Sequence, residues 1–162
     1  YVIRFQDTGF WLAKYAARKG YHKPTGTIAL NYCNNLRIFR YAETLLAYAE
    51  LVGVEGVAEQ KGISAQQCLD MVRDRAFGDT NHRVAVNKQN IINENHYEFV
   101  GEGHRYYDVV RWGITEVLNV GNVPGINSAR TWKSHNKYVA IPQGDIDATK
   151  GTEFELKQNE GY

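Results

Sequence analysis

Between residues 94 and 111 the chain places Glu94, Glu98, Glu102, Arg105, Asp108 and Arg111 at intervals of three or four. Carboxylates four apart share one face of a helix, so a glycosidase-like acid/base pair is one reading. That chemistry needs carboxylates on opposite sides of a bond, whereas helix neighbours point the same way. The mixed order of acids and arginines suits instead a structural ion-pair network of Glu98, Glu102, Arg105, Asp108 and Arg111 between packed helices. Such a network specifies geometry more than it adds stability. His96 and His104 stand nearby without H-E-x-x-H or any other specific ligand spacing, so no metal is expected. Gly101-Glu102-Gly103 lacks the spacing and the following Lys-Ser/Thr of a phosphate loop. Cys33 and Cys68 form no C-x-x-C; they are one bridge or two half-buried thiols. No catalytic residue and no cofactor is expected.

Eleven tyrosines and three tryptophans offer a different chemistry. Their rings present an apolar face and a polar edge, which suits stacking on sugars as well as core packing. Tyr41, Tyr48 and Trp112 fall in helical patterns and are expected in the core. Tyr21, between Gly20 and His22, and Trp132, in Arg130-Thr131-Trp132-Lys133-Ser134, stand in loop-like sequence. They are the candidate ligand-binding residues. Nineteen basic against eighteen acidic residues leave a net charge of +1, which argues against a nucleic-acid binder. An apolar content of 43% in 162 residues excludes disorder and suits one domain. No apolar run is long enough to span a membrane. The chain begins Tyr1-Val2-Ile3-Arg4-Phe5, with neither Met nor signal, and is expected to be processed or part of a longer protein.

These residues need elements to position them. Residues 1–35 read as an irregular lead-in: a short strand near Tyr1–Phe5, a helical turn or two over 11–18, then breaks at Gly20, Pro24 and Gly26. The apolar spacing predicts a helix over 36–52, capped by Asn34 or Asn35 and stopped by Gly53 in a left-handed cap. Its two apolar rows include Phe39, Ala42, Leu46 and Ala49 on one side and Ile38, Tyr41 and Leu45 on the other. A second helix opens at Ser64 with a Ser64/Gln67 capping box and ends at Gly78. A third is expected over 88–100, with Ile92, His96, Phe99 and Val100 on one side, and a short fourth over 104–112. Residues 36–113 thus form a helical core and 114–162 an irregular tail, with a turn at Asn122-Val123-Pro124-Gly125 and an extended segment over 137–141 stopped by Pro142.

The order of motifs then resembles a known family. Arg40-Tyr41-Ala42-Glu43-Thr44-Leu45-Leu46-Ala47-Tyr48-Ala49-Glu50 is similar to the R-Y-A-E-x-L-L-x-Y-A-E helix of the SusD/RagB family. Val72-Arg73-Asp74-Arg75-Ala76 resembles its V-R-x-R-A. The block from Glu98 to Gly113 resembles its E-x-x-x-E-G-x-R-x-x-D-L-x-R-W-G. Tyr138 to Gln143 and Gln158-Asn159-Glu160-Gly161-Tyr162 are similar to its L-x-P-I-P and Q-N-P-G-Y tail. Two positions depart: Asn95 stands where the family has Arg, removing one ion-pair partner, and Glu160 where it has Pro.

The resemblance implies a mainly α fold of tetratricopeptide-like helix pairs with irregular excursions and a few short strands. It implies a C-terminal part, residues 1–162, of a surface-exposed outer-membrane lipoprotein whose lipid anchor lies in the missing N-terminal part. Such a protein is no enzyme. It binds oligosaccharides, or sometimes peptides, as the lid of a TonB-dependent, SusC-like transporter. The helices alone would also support a tetratricopeptide-type protein–protein scaffold, and the carboxylates, less well, a glycoside hydrolase.

Overall fold

The computed structural model describes residues 12–18, 20–21, 25–27, 31–60, 62–121 and 129–162. The expected strand at Tyr1–Phe5 and the turn at Asn122–Gly125 lie outside them, as does Pro24. The fold is mainly helical, with five α-helices among the described residues: α1 (Tyr41–Gly53), α2 (Ala65–Phe77), α3 (Lys88–Glu98), α4 (Arg105–Trp112) and α5 (Gln143–Thr149). Three short 3-10 turns join them, at Ala13–Tyr15, Thr115–Leu118 and Ser134–Lys137. Among the described residues no helix is long and apolar enough to cross a membrane. The chain divides into two compact units, Leu12–Arg105 and a second made of 1–11 and 106–162.

In the first unit α1 packs on α2 and on α3. Leu45, Leu46 and Ala49 from α1 meet Cys68, Leu69 and Val72 from α2, and Ile91 closes the cluster from α3. Spacings of three and four make one apolar stripe per helix, and burying it supplies most of the stability. Cys68 is a buried free thiol whose pKa burial pushes up, and Cys33 is exposed and free.

The helix ends follow the expectation at α2 and correct it elsewhere. Ser64 Oγ accepts from the Gln67 N–H at 3.1 Å while Gln67 Oε1 accepts from the Ser64 N–H at 2.8 Å, closing the capping box. Gly78 caps α2 in the left-handed conformation, at φ 76°. The start of α1, however, lies at Tyr41, not residue 36. Arg40 is extended, at φ −134° and ψ 151°, and caps the helix without a side-chain bond. Residues 36–40 thus lie outside the helix, leaving Leu36 80%, Ile38 84% and Phe39 66% exposed. Tyr41 is exposed as well rather than in the core. Asn34 does not cap α1; its amide donates to the Tyr15 and Ala16 carbonyls, at 3.4 and 3.2 Å.

Gly53 also has a different role from the one expected. It is the last residue of α1 and has no positive φ. A Cβ there would overlap Val86 Cγ1 and stand 3.0 Å from Ala65 Cβ, so glycine lets the end of α1 approach α2 and the strand-like segment before α3. Tyr48 stays half-buried, its hydroxyl donating to the Ile63 carbonyl at 2.9 Å and accepting from the Gln60 N–H at 2.7 Å, which holds the loop between the two helices. On α3, Ile91 and Ile92 are buried, whereas His96 is exposed, as is Val100, which lies beyond the helix end at Glu98.

In the second unit Val120 and Arg130 form one antiparallel bridge, with N–H to O distances of 2.8 and 2.7 Å. The segment expected to be extended over 137–141 is shorter at its start: Lys137 closes a 3-10 turn over Ser134–Lys137, Tyr138 is extended at φ −107° and ψ 154°, and Pro142 is the N-cap of α5. The closing residues fold back on 138–141. Gln158 Oε1 accepts from the Ile141 N–H and its Nε2 donates to the Ile141 carbonyl, both at 2.9 Å. Asn159 Nδ2 donates to the Val139 carbonyl at 2.7 Å, and the Tyr162 hydroxyl to the Tyr138 carbonyl at 2.8 Å.

Two outcomes follow. Gly53→Ala should lower unfolding stability by about 1–3 kcal/mol through overpacking against Val86 and Ala65; an unchanged denaturant midpoint would refute the close approach. The exposed run of Leu36, Ile38 and Phe39 should make residues 1–162, produced alone, bind an apolar dye or self-associate. A dye-silent monomer in sedimentation would contradict that.

Candidate functional site

Acid and base groups of the first unit meet in a ladder. Glu94 and Glu98 lie one turn apart on α3 and Glu102 in the turn that follows, and each receives a cation from a distant part of the chain. Arg73 Nη1 pairs with Glu94 Oε2, a carboxylate 5% exposed. Arg75 Nη2 reaches Glu98 Oε2 at 2.5 Å. Arg40 joins the top two rungs: its Nη1 donates to Glu98 Oε1 at 2.6 Å, and its Nε and Nη2 donate to the two Glu102 oxygens at 2.7 and 2.8 Å. Lys14 Nζ adds a bond to Glu102 Oε1 at 2.5 Å. Glu102 reaches these partners because Gly101 and Gly103, at φ 77° and 84°, turn the chain back after α3. Side chains cannot take that conformation cheaply, and at Gly101 a Cβ would also strike Leu12.

Of the residues expected in the network, Glu98 and Glu102 therefore sit at its centre. No ion pair links Arg105 to either among the described residues, and its Nη1 is buried without a hydrogen-bond partner there. Asp108 and Arg111 pair with each other across a turn of α4, at 3.4 Å. The cations that do the work, Arg40, Lys14, Arg73 and Arg75, were not foreseen as partners, although R-Y-A-E and V-R-x-R-A contain three of them. Asn95 donates to the Ile91 carbonyl at 2.8 Å, and Glu94 keeps a partner in Arg73 despite the missing arginine.

This electrostatic setting does not favour general-acid chemistry. Burial raises the Glu102 pKa, but the hydrogen bonds and charges of Arg40 and Lys14 outweigh it and leave the group below the ordinary carboxylate range. The His96 pKa is pushed down, first by partial desolvation of a ring that stays largely exposed and second by the Arg105 charge. His104 stacks on Phe99 with centroids 4.6 Å apart, and its Nδ1 is 3.8 Å from Glu43 Oε1. Among the described residues no three His, Cys, Asp or Glu side chains converge as metal ligands.

The second unit holds an aromatic cavity of about 530 Å³. Trp132, Tyr106, Tyr138 and Tyr162 line it, with Arg130 and Asn136 as polar contributors. Each is positioned by local chain geometry. Asn119 Oδ1 accepts from the Trp132 N–H at 2.6 Å, one residue before the Val120–Arg130 bridge. Tyr162 is brought in by the tail clamp and meets His135 edge-on at 4.9 Å. The Trp132 and Tyr106 centroids are 5.9 Å apart with planes tilted by 54°, so the rings form an angled wall rather than a stack. Trp132 is half-buried and Tyr138 51% exposed, so ring surface remains open to a ligand. Tyr21, the other candidate, is 62% exposed and lies in the first unit, apart from this cavity's lining. The sequence pointed to Trp132 by its loop setting; Tyr138 and Tyr162 carried no such signal, because only the tail clamp brings them together.

Residues 3–162 match the model of the SusD family. The chain is 55% identical to surface glycan-binding protein A from Bacteroides fluxus, with TM-score 0.85, covering 100% of this chain and 34% of that one. It is 43% identical to surface glycan-binding protein A from Bacteroides thetaiotaomicron solved in complex with laminarihexaose, with TM-score 0.79, over 96% of this chain and 32% of that one. A SusD-like protein P25 from Formosa agariphila is 33% identical over 91 residues, 52% of this chain and 16% of that protein. The chain thus spans about a third of the length of those solved relatives.

The ladder predicts a stability effect with a pH signature. Glu102→Ala should cost about 3–5 kcal/mol, because Arg40 and Lys14 lose their shared carboxylate. An unchanged melting temperature would refute it. Since the folded pKa of Glu102 is depressed, its contribution is fully present above the unfolded value, near 4.5, and is lost as pH falls through the lower folded value. The variant should therefore show a shallower loss of stability on acidification.

Proposed function

The chain belongs to the SusD family, and from that premise we propose that it forms part of a non-catalytic surface protein that captures oligosaccharides for import. The observation that carries the reading is the aromatic cavity, with Trp132 and Tyr106 set at an angle beside Tyr138 and Tyr162. Aromatic faces bind the C–H faces of a pyranose, and the phenol, Arg130 and Asn136 edges supply hydrogen bonds to its hydroxyls. An angled wall suits a curved glucan better than a flat ring. The protein of known structure bound to laminarihexaose makes a β-glucan the first ligand to try.

Non-catalytic action is the reading that fits the carboxylates. The glutamates of the ladder are held by cations, and among the described residues the aromatic cavity's lining contains no acidic side chain. Capture without chemistry needs a partner that moves the ligand on, and we infer that partner to be a TonB-dependent transporter of the SusC type. Surface display on the outer membrane, by a lipid anchor upstream of these residues, belongs to the same reading.

Titration of the protein with laminarihexaose tests it. Trp132→Ala should weaken binding by about 1–3 kcal/mol, on the scale of a lost base–aromatic stack, with little change in melting temperature. Normal affinity in the variant would remove Trp132 from the site. Release of shorter sugars from laminarin by the purified protein would overturn the non-catalytic reading.

A further inference from the structure

A second cavity, of about 310 Å³, opens in the Leu12–Arg105 unit and differs in chemistry from the aromatic one. Its walls are the 3-10 turn Ala13–Tyr15, Arg18, Tyr21 and the segment 33–37. These pieces hold one another. The Cys33 N–H donates to the Tyr21 carbonyl at 3.2 Å and the Tyr21 N–H to the Arg18 carbonyl at 2.9 Å. Asn34 bridges to the Tyr15 and Ala16 carbonyls. Arg37 Nη1 donates to the Lys14 carbonyl at 3.4 Å, and its guanidinium carbon stands 5.7 Å over the Tyr15 ring.

Among the described residues the lining contains three cations and no carboxylate. Lys14 is neutralised by Glu102, at 2.5 Å. Arg18 has no side-chain partner among the described residues, and Arg37 uses one N–H on a carbonyl and keeps the rest of its fork. The sequence reinforces this: residues 8–42 hold six lysines and arginines and no aspartate or glutamate, in a chain whose net charge is only +1. Arg18 and Arg37 thus bring two cations without a carboxylate partner among the described residues to one concave, polar site.

We propose that this cavity binds the anionic group of an acidic sugar, a uronate carboxylate or a sulfate ester. A guanidinium fork matches such a group with paired hydrogen bonds. Tyr21 and Asn35 line the same cavity, and a hydroxyl and an amide are the groups that meet ring hydroxyls. The volume lies at the small end of small-molecule sites, roughly 300–1,000 Å³, which admits a sugar ring. A membrane or a nucleic-acid backbone instead needs an extended basic face. The proposal rests on the glycan-capture reading only for the ligand's being a carbohydrate.

The test is calorimetric titration of the protein with trigalacturonate, laminarihexaose, inorganic sulfate and vesicles of anionic phospholipid, each in turn. Trigalacturonate should bind, and its affinity should fall further as salt rises through about 0.5 M. Arg18→Gln should weaken it about tenfold, the scale of one lost charge-assisted hydrogen bond, and Arg37→Gln at least as much, with melting temperature and laminarihexaose affinity unchanged. Trp132→Ala should give the opposite pattern. Trigalacturonate binding without laminarihexaose binding supports this site and sinks the aromatic one. No binding of trigalacturonate, equal binding by Arg18→Gln, sulfate binding as tight as the trimer, or vesicle binding in its place would each overturn the proposal.

Discussion

Arg40 is the residue on which the helical unit depends. It is held extended at the head of α1, and its fork spans Glu98 at the end of α3 and Glu102 in the turn that follows. Burial disfavours its charge, and the hydrogen bonds to Glu102 and Glu98 outweigh that, so its pKa rises. One side chain thus fixes three things: where α1 begins, where α3 ends, and which way the chain turns at Gly101. Its guanidinium carbon lies 5.0 Å over the buried Phe99 ring, so the ion pairs and the apolar core share a boundary. Ion pairs of this kind add little net stability over apolar packing, yet losing one partner strands the others. Geometry is what they provide.

Local rules were readable in the sequence because their physics is local. The Ser64/Gln67 box and the Gly78 cap each involve residues a few positions apart, and spacing alone implies the bond. The apolar stripes of α1 and α2 were legible for the same reason. Gly53 was misread because its constraint is tertiary: the neighbour that forbids a side chain is Val86, 33 positions away. The start of α1 was misplaced because helical periodicity over 36–40 is overruled by the pull of Arg40 toward carboxylates some sixty residues on.

The same division runs through the candidate sites. Trp132 stood out by its loop-like surroundings, and Tyr21 by its glycine and histidine neighbours. What neither neighbourhood could reveal is company. Tyr138 and Tyr162 join Trp132 only because Gln158 and Asn159 pin the tail to residues 139 and 141. Gly161, at φ 95°, lets that tail pass His135, where a Cβ would stand 2.6 Å from the histidine Cβ. The Q-N-x-G-Y ending is therefore a latch, and the aromatic cavity is a consequence of its closing.

The motif residues of the first unit thus build scaffold. R-Y-A-E and V-R-x-R-A contribute Arg40, Arg73 and Arg75, and the E-x-x-x-E-G block supplies Glu98, Glu102 and the glycine turn that presents Glu102. The rings and cations that could meet a ligand sit mostly between motifs: Trp132, Arg130, Arg18, Tyr21 and Arg37. Physical constraint explains the separation. A buried ion-pair rung tolerates almost no substitution, because each change leaves an unpaired charge. A half-exposed ring or arginine can change with little effect on folding. A framework of this kind can hold its fold fixed while the residues between its motifs vary.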